Sequence, residues 1–176
     1  MRISILVLVV ALSAMLASCG PLGPVPGGAL SGELASNTPS NWSFSDAYKT
    51  IQLEVRPSDP YSVNLWCVAS NGKLYVGAGQ GGSSVWARAL LEEGRARVRI
   101  DTTLYAVVAQ RVTAPQEIQT YLDALSRKYE SSQAHPADFQ ADAGRPPAAM
   151  LFRLDPAPEN GAAAGSGCSH ERPDEQ

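Results

Sequence analysis

The chain has 176 residues, with 14 lysine and arginine residues against 17 aspartate and glutamate residues, and its formal net charge is −3 at pH 7. Because this balance leaves no broad basic surface for a polyanion, we exclude a nucleic-acid-binding protein. A typical domain has ~100 to 150 residues, so a single hydrophobic core accounts for the chain.

The first 18 residues have the pattern of a signal peptide. Arg2 precedes an apolar run from Ile3 to about Ala17, which is shorter than the ~20 residues that a transmembrane helix needs. The residues Leu16-Ala17-Ser18-Cys19 resemble the lipobox of bacterial lipoproteins, in which the signal peptide is cut before the cysteine. The resemblance implies palmitate-type lipidation of Cys19 and a place in the bacterial cell envelope, at the outer membrane or periplasmic face rather than in the cytoplasm. An ordinary secretory signal with a chance cysteine is the alternative.

Both ends of the mature chain are predicted to be flexible. Residues 20–41 are rich in Gly, Pro, Ser, Ala and Asn and carry almost no charge, which predicts a lipidated tether over residues 19–43. A run of Gly and Ala followed by mixed charges predicts a disordered tail over residues 156–176. The folded domain is therefore expected over residues 44–155.

The remaining cysteines and histidines give no metal site. Cys67 lies in an apolar run and Cys168 lies in the predicted tail. The two could form a disulfide outside the cytoplasm, or Cys67 could be a small buried residue and Cys168 a free thiol. His170 beside Cys168 supplies only half of a tetrahedral metal site, so no metal is predicted.

The first half of the domain has the period of β-strands. Ile51, Leu53 and Val55 alternate with polar residues, which predicts a first strand. Alternation continues over residues 61–68, and Ser70-Asn71-Gly72-Lys73 then provides the turn of a hairpin whose second strand covers residues 74–78.

The second half of the domain contains both predicted helices. A short helix is expected from about Ser84 to Glu93 with Gly94 at its C-terminal cap, followed by strands over residues 95–100 and 104–112. A longer helix follows over residues 115–130, for which Thr113 is the predicted cap and Gln116 the capping-box residue. A last strand is expected over residues 148–154. The fold class is mainly β (α+β): six antiparallel strands curled into a barrel, with a short helix and one longer helix.

Several segments of the domain, taken in order, resemble the flavin-binding split barrels, the superfamily of pyridoxamine phosphate oxidases and deazaflavin-dependent nitroreductases. The resemblance covers about residues 45–155 and is carried by the following segments: Asn71 to Val76, Gly81 to Leu91, Ala96 to Ile100, Leu125 to Tyr129 and Leu151 to Leu154. It implies a six-stranded antiparallel split β-barrel. It also implies flavin mononucleotide (FMN) or a deazaflavin as cofactor, oxidoreductase chemistry, and a ligand placed between two subunits of a homodimer. A domain that binds no cofactor is the alternative.

The resemblance places the cofactor phosphate at Ser83, Ser84 and Arg88. The residues agree with that placement, because a Gly-rich loop lets backbone amides converge and a helix N-terminus attracts anions. Arg88 lies one turn after Ser84 on the same face. The alternative is a serine that caps a short helix and an arginine on the surface.

Three further residues are candidates for cofactor binding. Trp86 could stack on a flavin ring, although a tryptophan on a short amphipathic helix is also a usual core residue. Arg97 and Arg99 share a strand face and could reach an anion across a dimer interface, or could blunt an edge strand by charge.

The sequence leaves two functions open. The first is a membrane-tethered flavin or deazaflavin oxidoreductase, and the second is a non-catalytic lipoprotein that uses the same barrel to bind a small molecule or an envelope partner. No catalytic residue is predicted, since no Ser, His and Asp arrangement is present. A homodimer is expected to use the strand face of Trp66 and Val68, unless the longer helix covers that face within one chain.

Overall fold

The structure is a computed structural model that describes residues 20–79, 82–129, 136–139 and 147–158. Its strands and helices, in chain order, are β1 (Glu33–Leu34), β2 (Thr50–Val55), β3 (Tyr61–Trp66), β4 (Val68–Ser70), β5 (Lys73–Ala78), α1 (Val85–Glu93), β6 (Arg95–Ile100), β7 (Thr103–Val112), α2 (Pro115–Lys128) and β8 (Met150–Pro156). Short 3-10 helices cover Ser43–Ala47 and Pro136–Phe139. None of the helices in these ranges is both long and apolar enough to span a bilayer.

The strands form one sheet whose two ends meet. Its order is β3-β2-β6-β7-β8-β5-β4, all neighbours in this order are antiparallel, and β1 pairs with β7 in parallel. The end strands β3 and β4 are consecutive in the chain and only Cys67 separates them. A sheet whose opposite ends are joined by one residue has to curl, which gives the barrel.

The predicted fold class is confirmed as a mainly antiparallel β-barrel with a short and a longer helix. The predicted strand count is wrong, because the sheet has eight strands in the described residues instead of six. Cys67 divides the predicted second strand into β3 and β4, and β1 comes from the segment that was predicted to be a tether.

Two apolar clusters lie on the two faces of this sheet. Inside the barrel, Leu53, Val76 and Val98 pack with Trp86 and Leu90 of α1. On the outside, α2 covers part of the sheet, and its buried residues pack against strand residues of the same cluster: Val68, Tyr75, Val112, Leu151. The period-two pattern of the strands and the apolar stripe of α2 therefore encode the two faces correctly.

Two predicted turns are confirmed at the backbone. Asn71 and Gly72 have φ of 51° and 74° between β4 and β5, as a tight hairpin turn requires. Gly94 ends α1 in the left-handed conformation and its amide donates to the Leu90 carbonyl oxygen at 3.0 Å, which is the expected C-terminal cap.

The predicted cap of the longer helix is wrong. The N-cap residue is Ala114 rather than Thr113, and no side chain caps the helix. With the cap at Ala114, Pro115 occupies the first helical position as expected. The third position falls to Glu117 instead of Gln116, and the capping box does not form because alanine has no side-chain acceptor.

The segment before Ser43 lies across the outside of the sheet, where the sequence predicts a flexible tether. The Leu30 amide donates to Glu54 Oε2 at 2.5 Å, Gly27 pairs with Ser62, and β1 joins β7. Backbone groups of the sheet and the Glu54 side chain supply the hydrogen-bond partners that this Gly- and Pro-rich segment lacks by itself. We call residues 20–34 the strap.

Cys67 is a free and buried thiol, while Cys168 lies outside the described residues, as do Cys19 and most of the predicted tail. Among the residues that the structure describes, no group of His, Cys, Asp and Glu side chains could hold a metal ion.

Candidate functional site

The N-terminus of α1 is built by the residues that the sequence analysis selected. Gly82 is buried with φ of 69°, Ser83 is exposed and Ser84 is the N-cap residue with extended backbone. The Ser84 hydroxyl makes no capping hydrogen bond, and its Oγ is buried without a partner among the described residues. The first amides of a helix have no intrahelical acceptor, so this end of α1 offers free donors and partial positive charge.

Arg88 adds a full positive charge one turn further along α1. Its backbone amide donates to the Ser84 carbonyl oxygen at 3.1 Å, and its side chain is exposed. Within the described ranges no ion pair involves Arg88. Ser83, Ser84 and Arg88 thus share one end of one helix, where an anionic group would meet donors and charge together.

Arg97 and Arg99 are placed elsewhere. They lie on the outer face of β6, whereas Val98 between them belongs to the core inside the barrel that contains α1. Arg97 makes a two-pronged ion pair with Glu54, with Nε to Oε1 and Nη2 to Oε2 both at 2.8 Å. Arg99 Nη1 donates to the Ser31 carbonyl oxygen at 2.8 Å. Both arginines therefore hold the strap and its partner Glu54, and neither joins the α1 site within this chain.

Trp86 is a core residue. Its side chain is 6% exposed and meets the Phe152 ring edge-on, with centroids 6.0 Å apart. This position agrees with the interpretation of Trp86 as a core residue. A ring that is buried under the helix has no exposed face on which a flavin could stack.

A surface depression of about 340 Å³ opens at the other end of α1. Leu90 and Leu91 form its helix side, and β7 together with Phe152 forms the rest. Its size is at the lower end of ordinary small-molecule sites. This depression could not be predicted from the sequence, because the residues that line it come from three separate segments.

A second polar cluster, which the sequence analysis missed, surrounds Cys67. Lys128 Nζ lies 3.5 Å from Cys67 Sγ, 3.1 Å from the Ser45 carbonyl oxygen and 3.4 Å from Asp46 Oδ1. Burial raises the pKa of the Cys67 thiol, and the nearby Lys128 ammonium opposes this only in part. The thiol is therefore protonated and a poor nucleophile. Its contacts join the end of α2 to the corner between β3 and β4.

Glu117 anchors the start of α2 to the sheet. Its Oε1 accepts hydrogen bonds from the Tyr75 hydroxyl at 2.9 Å and from Arg153 Nη1 at 3.0 Å. Burial acts against ionisation of Glu117, but these two hydrogen bonds, together with the positive charges of Arg153 and Lys73, outweigh it and hold the pKa of the carboxyl below its usual value. Arg153 also pairs with Asp155. These contacts make the cluster a structural link between α2 and the sheet.

Comparison with known proteins gives one family and a set of similar folds. The model of the family described as "uncharacterized protein conserved in bacteria (DUF2255)" matches residues 46–146. No curated protein matches the sequence significantly.

Solved structures with a similar fold include three whose names state a ligand or a role. An F420-H2-dependent reductase is 14% identical, with 61% of this chain and 95% of that chain covered and a TM-score of 0.48. An FAD-binding protein from Mesorhizobium loti is 12% identical, with 64% and 84% covered and a TM-score of 0.45. A heme storage protein from Vibrio cholerae is 17% identical, with 65% and 86% covered and a TM-score of 0.46. The ligands and roles in these names belong to those proteins.

Proposed function

The chain belongs to the DUF2255 family, whose model covers more than half of it, and from this premise we propose that it is a lipid-anchored protein of the bacterial envelope whose barrel binds a flavin or deazaflavin. The lipid is carried by Cys19. The phosphate of the ligand is held at the N-terminus of α1 by Ser83, Ser84 and Arg88. A flavin or deazaflavin, when bound, supplies hydride-transfer chemistry.

The observation that carries this proposal is the Ser84 hydroxyl, which is buried and has no hydrogen-bond partner among the described residues. A buried polar atom without a hydrogen bond costs ~1 to 3 kcal/mol, and this one lies at a helix end where its side chain makes no capping hydrogen bond. A phosphate oxygen would accept hydrogen bonds from this hydroxyl and from the first helical amides. Arg88 on the same face would supply the opposite charge.

The residues fit the phosphate end of such a ligand better than its ring. Trp86, the candidate for stacking on the ring, is buried against Phe152, and Arg97, the candidate for an anion across a dimer interface, is paired with Glu54. We therefore assign only the phosphate end of the ligand to residues of this chain, and we assign no catalytic residue.

A homodimer remains part of the proposal. Val68 of the suggested face is buried in the cluster under α2, in line with the alternative in which the longer helix covers this face within one chain. Trp66 stacks on Tyr129 with centroids 4.6 Å apart and is still 50% exposed, so a second subunit would meet Trp66 rather than Val68 on this face.

A ligand titration tests the phosphate site. The mature protein is titrated with FMN and with a deazaflavin while the absorbance and fluorescence of the ligand are recorded. Arg88→Ala should weaken binding by about ten-fold or more, since a hydrogen bond to a charged group contributes ~1.5 to 3 kcal/mol. Arg127→Ala, an exposed arginine on α2, is the matched control and should bind like wild type. Equal affinity in both variants would remove Arg88 from the site.

The second candidate is a lipoprotein that binds a ligand or partner without catalysing a reaction. It is favoured by the engagement of Arg97 and Arg99 with the chain itself, which leaves fewer groups for a cofactor. If neither ligand changes its spectrum on addition of the wild-type protein, this candidate replaces the first.

Lipidation is tested separately. Mass spectrometry of the membrane-extracted protein should show a diacylglyceryl-type mass increase on the peptide that begins at Cys19. Cys19→Ser should abolish it and should leave the protein uncleaved or released. A wild-type protein that starts elsewhere and carries no lipid would contradict the anchor without affecting the ligand proposal.

A further inference from the structure

The strap begins with an exposed apolar turn. Leu22 is 73% exposed and Val25 is 60% exposed, and no charged residue occurs between Gly20 and Gly32. The two residues close the turn through their backbones, since the Leu22 amide donates to the Val25 carbonyl oxygen at 3.0 Å and the Val25 amide donates back at 2.9 Å. These backbone groups are paired with each other, so they would need no water if the turn were buried in an apolar medium.

The turn is held in place by the sheet. The Asn64 side-chain amide donates to the carbonyl oxygens of Pro21 at 3.2 Å and Gly23 at 2.9 Å. Just after the turn, Gly27 and Ser62 exchange backbone hydrogen bonds, both at 2.8 Å. Contacts on both sides of the turn therefore fix its direction relative to the barrel.

The turn also lies close along the chain to the anchor. Leu22 follows Cys19 by three residues, which span at most about 11 Å when fully extended. An amphipathic segment at a membrane surface buries its apolar side by ~5 to 10 Å. A lipid on Cys19 thus brings Leu22 and Val25 within reach of the interface, and no flexible spacer separates the barrel from it.

From these contacts we propose that the turn Leu22–Val25 is a membrane-contact surface that seats the barrel directly on the lipid bilayer in one orientation. The inference rests on the proposed lipidation of Cys19. The bilayer is the occupant because the turn is apolar and uncharged, because the backbone groups of Leu22 and Val25 are paired with each other, and because the lipidated residue lies only three residues before Leu22.

The strap offers a matched control at its other end. Leu34 is 51% exposed and lies on β1, which pairs with β7. The strap runs from β3 over β2 and β6 to β7, three strand spacings or about 14 Å. Leu34 is thus an equally apolar residue of the same segment at a different place on the barrel.

The test measures contact with lipid at single positions. Val25→Trp and Leu34→Trp are made in a Trp66→Phe background, because Trp42 and Trp86 are buried and Trp66 is half-exposed. Each mature lipidated protein is reconstituted into vesicles of phosphatidylcholine and phosphatidylglycerol whose acyl chains carry bromine near the carbonyl group. Tryptophan at position 25 should lose fluorescence relative to unbrominated vesicles and shift to the blue, and tryptophan at position 34 should do neither. Leu22→Trp repeats the measurement should Val25→Trp disturb the turn.

The outcomes separate the anchor from the contact. Lipid on Cys19, verified by mass on the same sample, together with equal fluorescence in brominated and unbrominated vesicles at positions 22 and 25, overturns the membrane contact and leaves the anchor standing. If tryptophan at position 25 is protected from quenching by acrylamide but is not quenched by bromine, the turn contacts protein rather than lipid. This result also overturns the membrane contact. A sample without lipid on Cys19 removes the anchor, and the inference with it.

Discussion

The Tyr129 hydroxyl and the Cys67 backbone are hydrogen-bonded at the corner where the barrel closes. The hydroxyl oxygen accepts from the Cys67 amide at 3.2 Å, and it lies 2.9 Å from the Cys67 carbonyl oxygen and 2.6 Å from that of Lys49. Cys67 is the single residue between the end strands β3 and β4, so its backbone groups lie outside the strand ladder. The Tyr129 side chain, at the end of α2, supplies the hydrogen bonds that the strand ladder does not provide for these groups.

Tyr129→Phe should therefore destabilise the protein although it keeps the ring that stacks on Trp66. Removing the hydroxyl leaves the buried Cys67 amide without its acceptor, and an unsatisfied buried group costs ~1 to 3 kcal/mol. Urea unfolding of the mature protein measures the loss. Tyr61→Phe is the control, because no hydrogen bond of the Tyr61 hydroxyl is found among the described residues, and it should change the free energy of unfolding by less than ~0.5 kcal/mol. Equal losses of unfolding free energy in the two variants would show that the Tyr129 hydroxyl does not stabilise the corner.

The same corner predicts an alkaline limit of stability. Burial, together with the nearby Cys67, raises the pKa of Tyr129 to about 12, whereas an unfolded tyrosine titrates near ~10. The folded state favours the neutral hydroxyl. Its contribution to the free energy of unfolding is therefore fully present below about pH 10 and is lost as the pH rises through about 12. The difference in unfolding free energy between wild type and Tyr129→Phe should shrink over this window. A difference that stays constant from pH 8 to pH 12 would assign the effect to another group.

Much of the fold could be predicted because it is encoded locally. Alternating apolar residues marked the strands, and Asn71-Gly72 and Gly94 have the left-handed backbone that their turns require. The candidate phosphate site at α1 rests on a local pattern as well, a Gly- and Ser-rich start of a helix with a basic residue one turn later; the helix start lies where the sequence predicts it, and phosphate binding there stays a prediction.

The rest depends on contacts between distant segments. Arg97 and Arg99 could be assigned to a strand face, but the sequence did not show that the strap would cover that face and take up both side chains. Lys128 and Tyr129 are more than 60 residues from Cys67, with which they form the barrel corner. A low-hydrophobicity segment is predicted to be flexible when it is considered alone, and the strap is ordered because the sheet supplies its partners.

Glu54→Gln should loosen the strap. Glu54 is 2% exposed and accepts hydrogen bonds from Arg97 and from the Leu30 amide. Breaking a buried ion pair costs ~3 to 5 kcal/mol, and we expect the lower end because Arg97 is about one third exposed and regains water. Hydrogen exchange should quicken at the Leu30 and Gly27 amides before the rest of the sheet opens.

Asp59→Asn is the control for that change, since Asp59 forms an exposed pair with Arg56 and such pairs contribute ~0 to 1 kcal/mol. Unchanged exchange at Leu30 in Glu54→Gln, or faster exchange at Leu30 in Asp59→Asn, would show that the pair with Arg97 does not hold the strap.

Gly77→Ala should be destabilising because β5 passes close under α2. A Cβ atom built at Gly77 would lie 2.6 Å from the Tyr121 hydroxyl oxygen, so the helix would have to shift, and overpacking of this kind costs ~1 to 3 kcal/mol. Gly79→Ala is the matched control, since a Cβ there meets no atom within 4 Å. Thermal unfolding should give a lower melting temperature for the first variant only. Equal melting temperatures in the two variants would show that the space under Tyr121 is not restrictive.

The folded unit should begin before residue 44. Composition alone predicts a domain that starts at residue 44 and folds without the preceding segment. The structure leads to the opposite expectation, because Trp42 is 1% exposed and meets the Tyr105 ring edge-on at 5.3 Å, and Leu30 is 4% exposed. Losing a buried tryptophan costs ~3 to 5 kcal/mol and losing a buried leucine ~2 to 5 kcal/mol.

Deletion of residues 20–43 would also leave Glu54 without the Leu30 amide and β7 without β1. A typical domain is stable by only ~5 to 15 kcal/mol, so a chain that starts at residue 44 should unfold at much lower urea concentration or fail to fold cooperatively. A lipid-free chain that starts at residue 20 should unfold in one cooperative transition. Circular dichroism during urea unfolding compares the two chains. If the two chains unfold at the same urea concentration, the folded domain begins at residue 44. The strap would then contact the barrel without stabilising it.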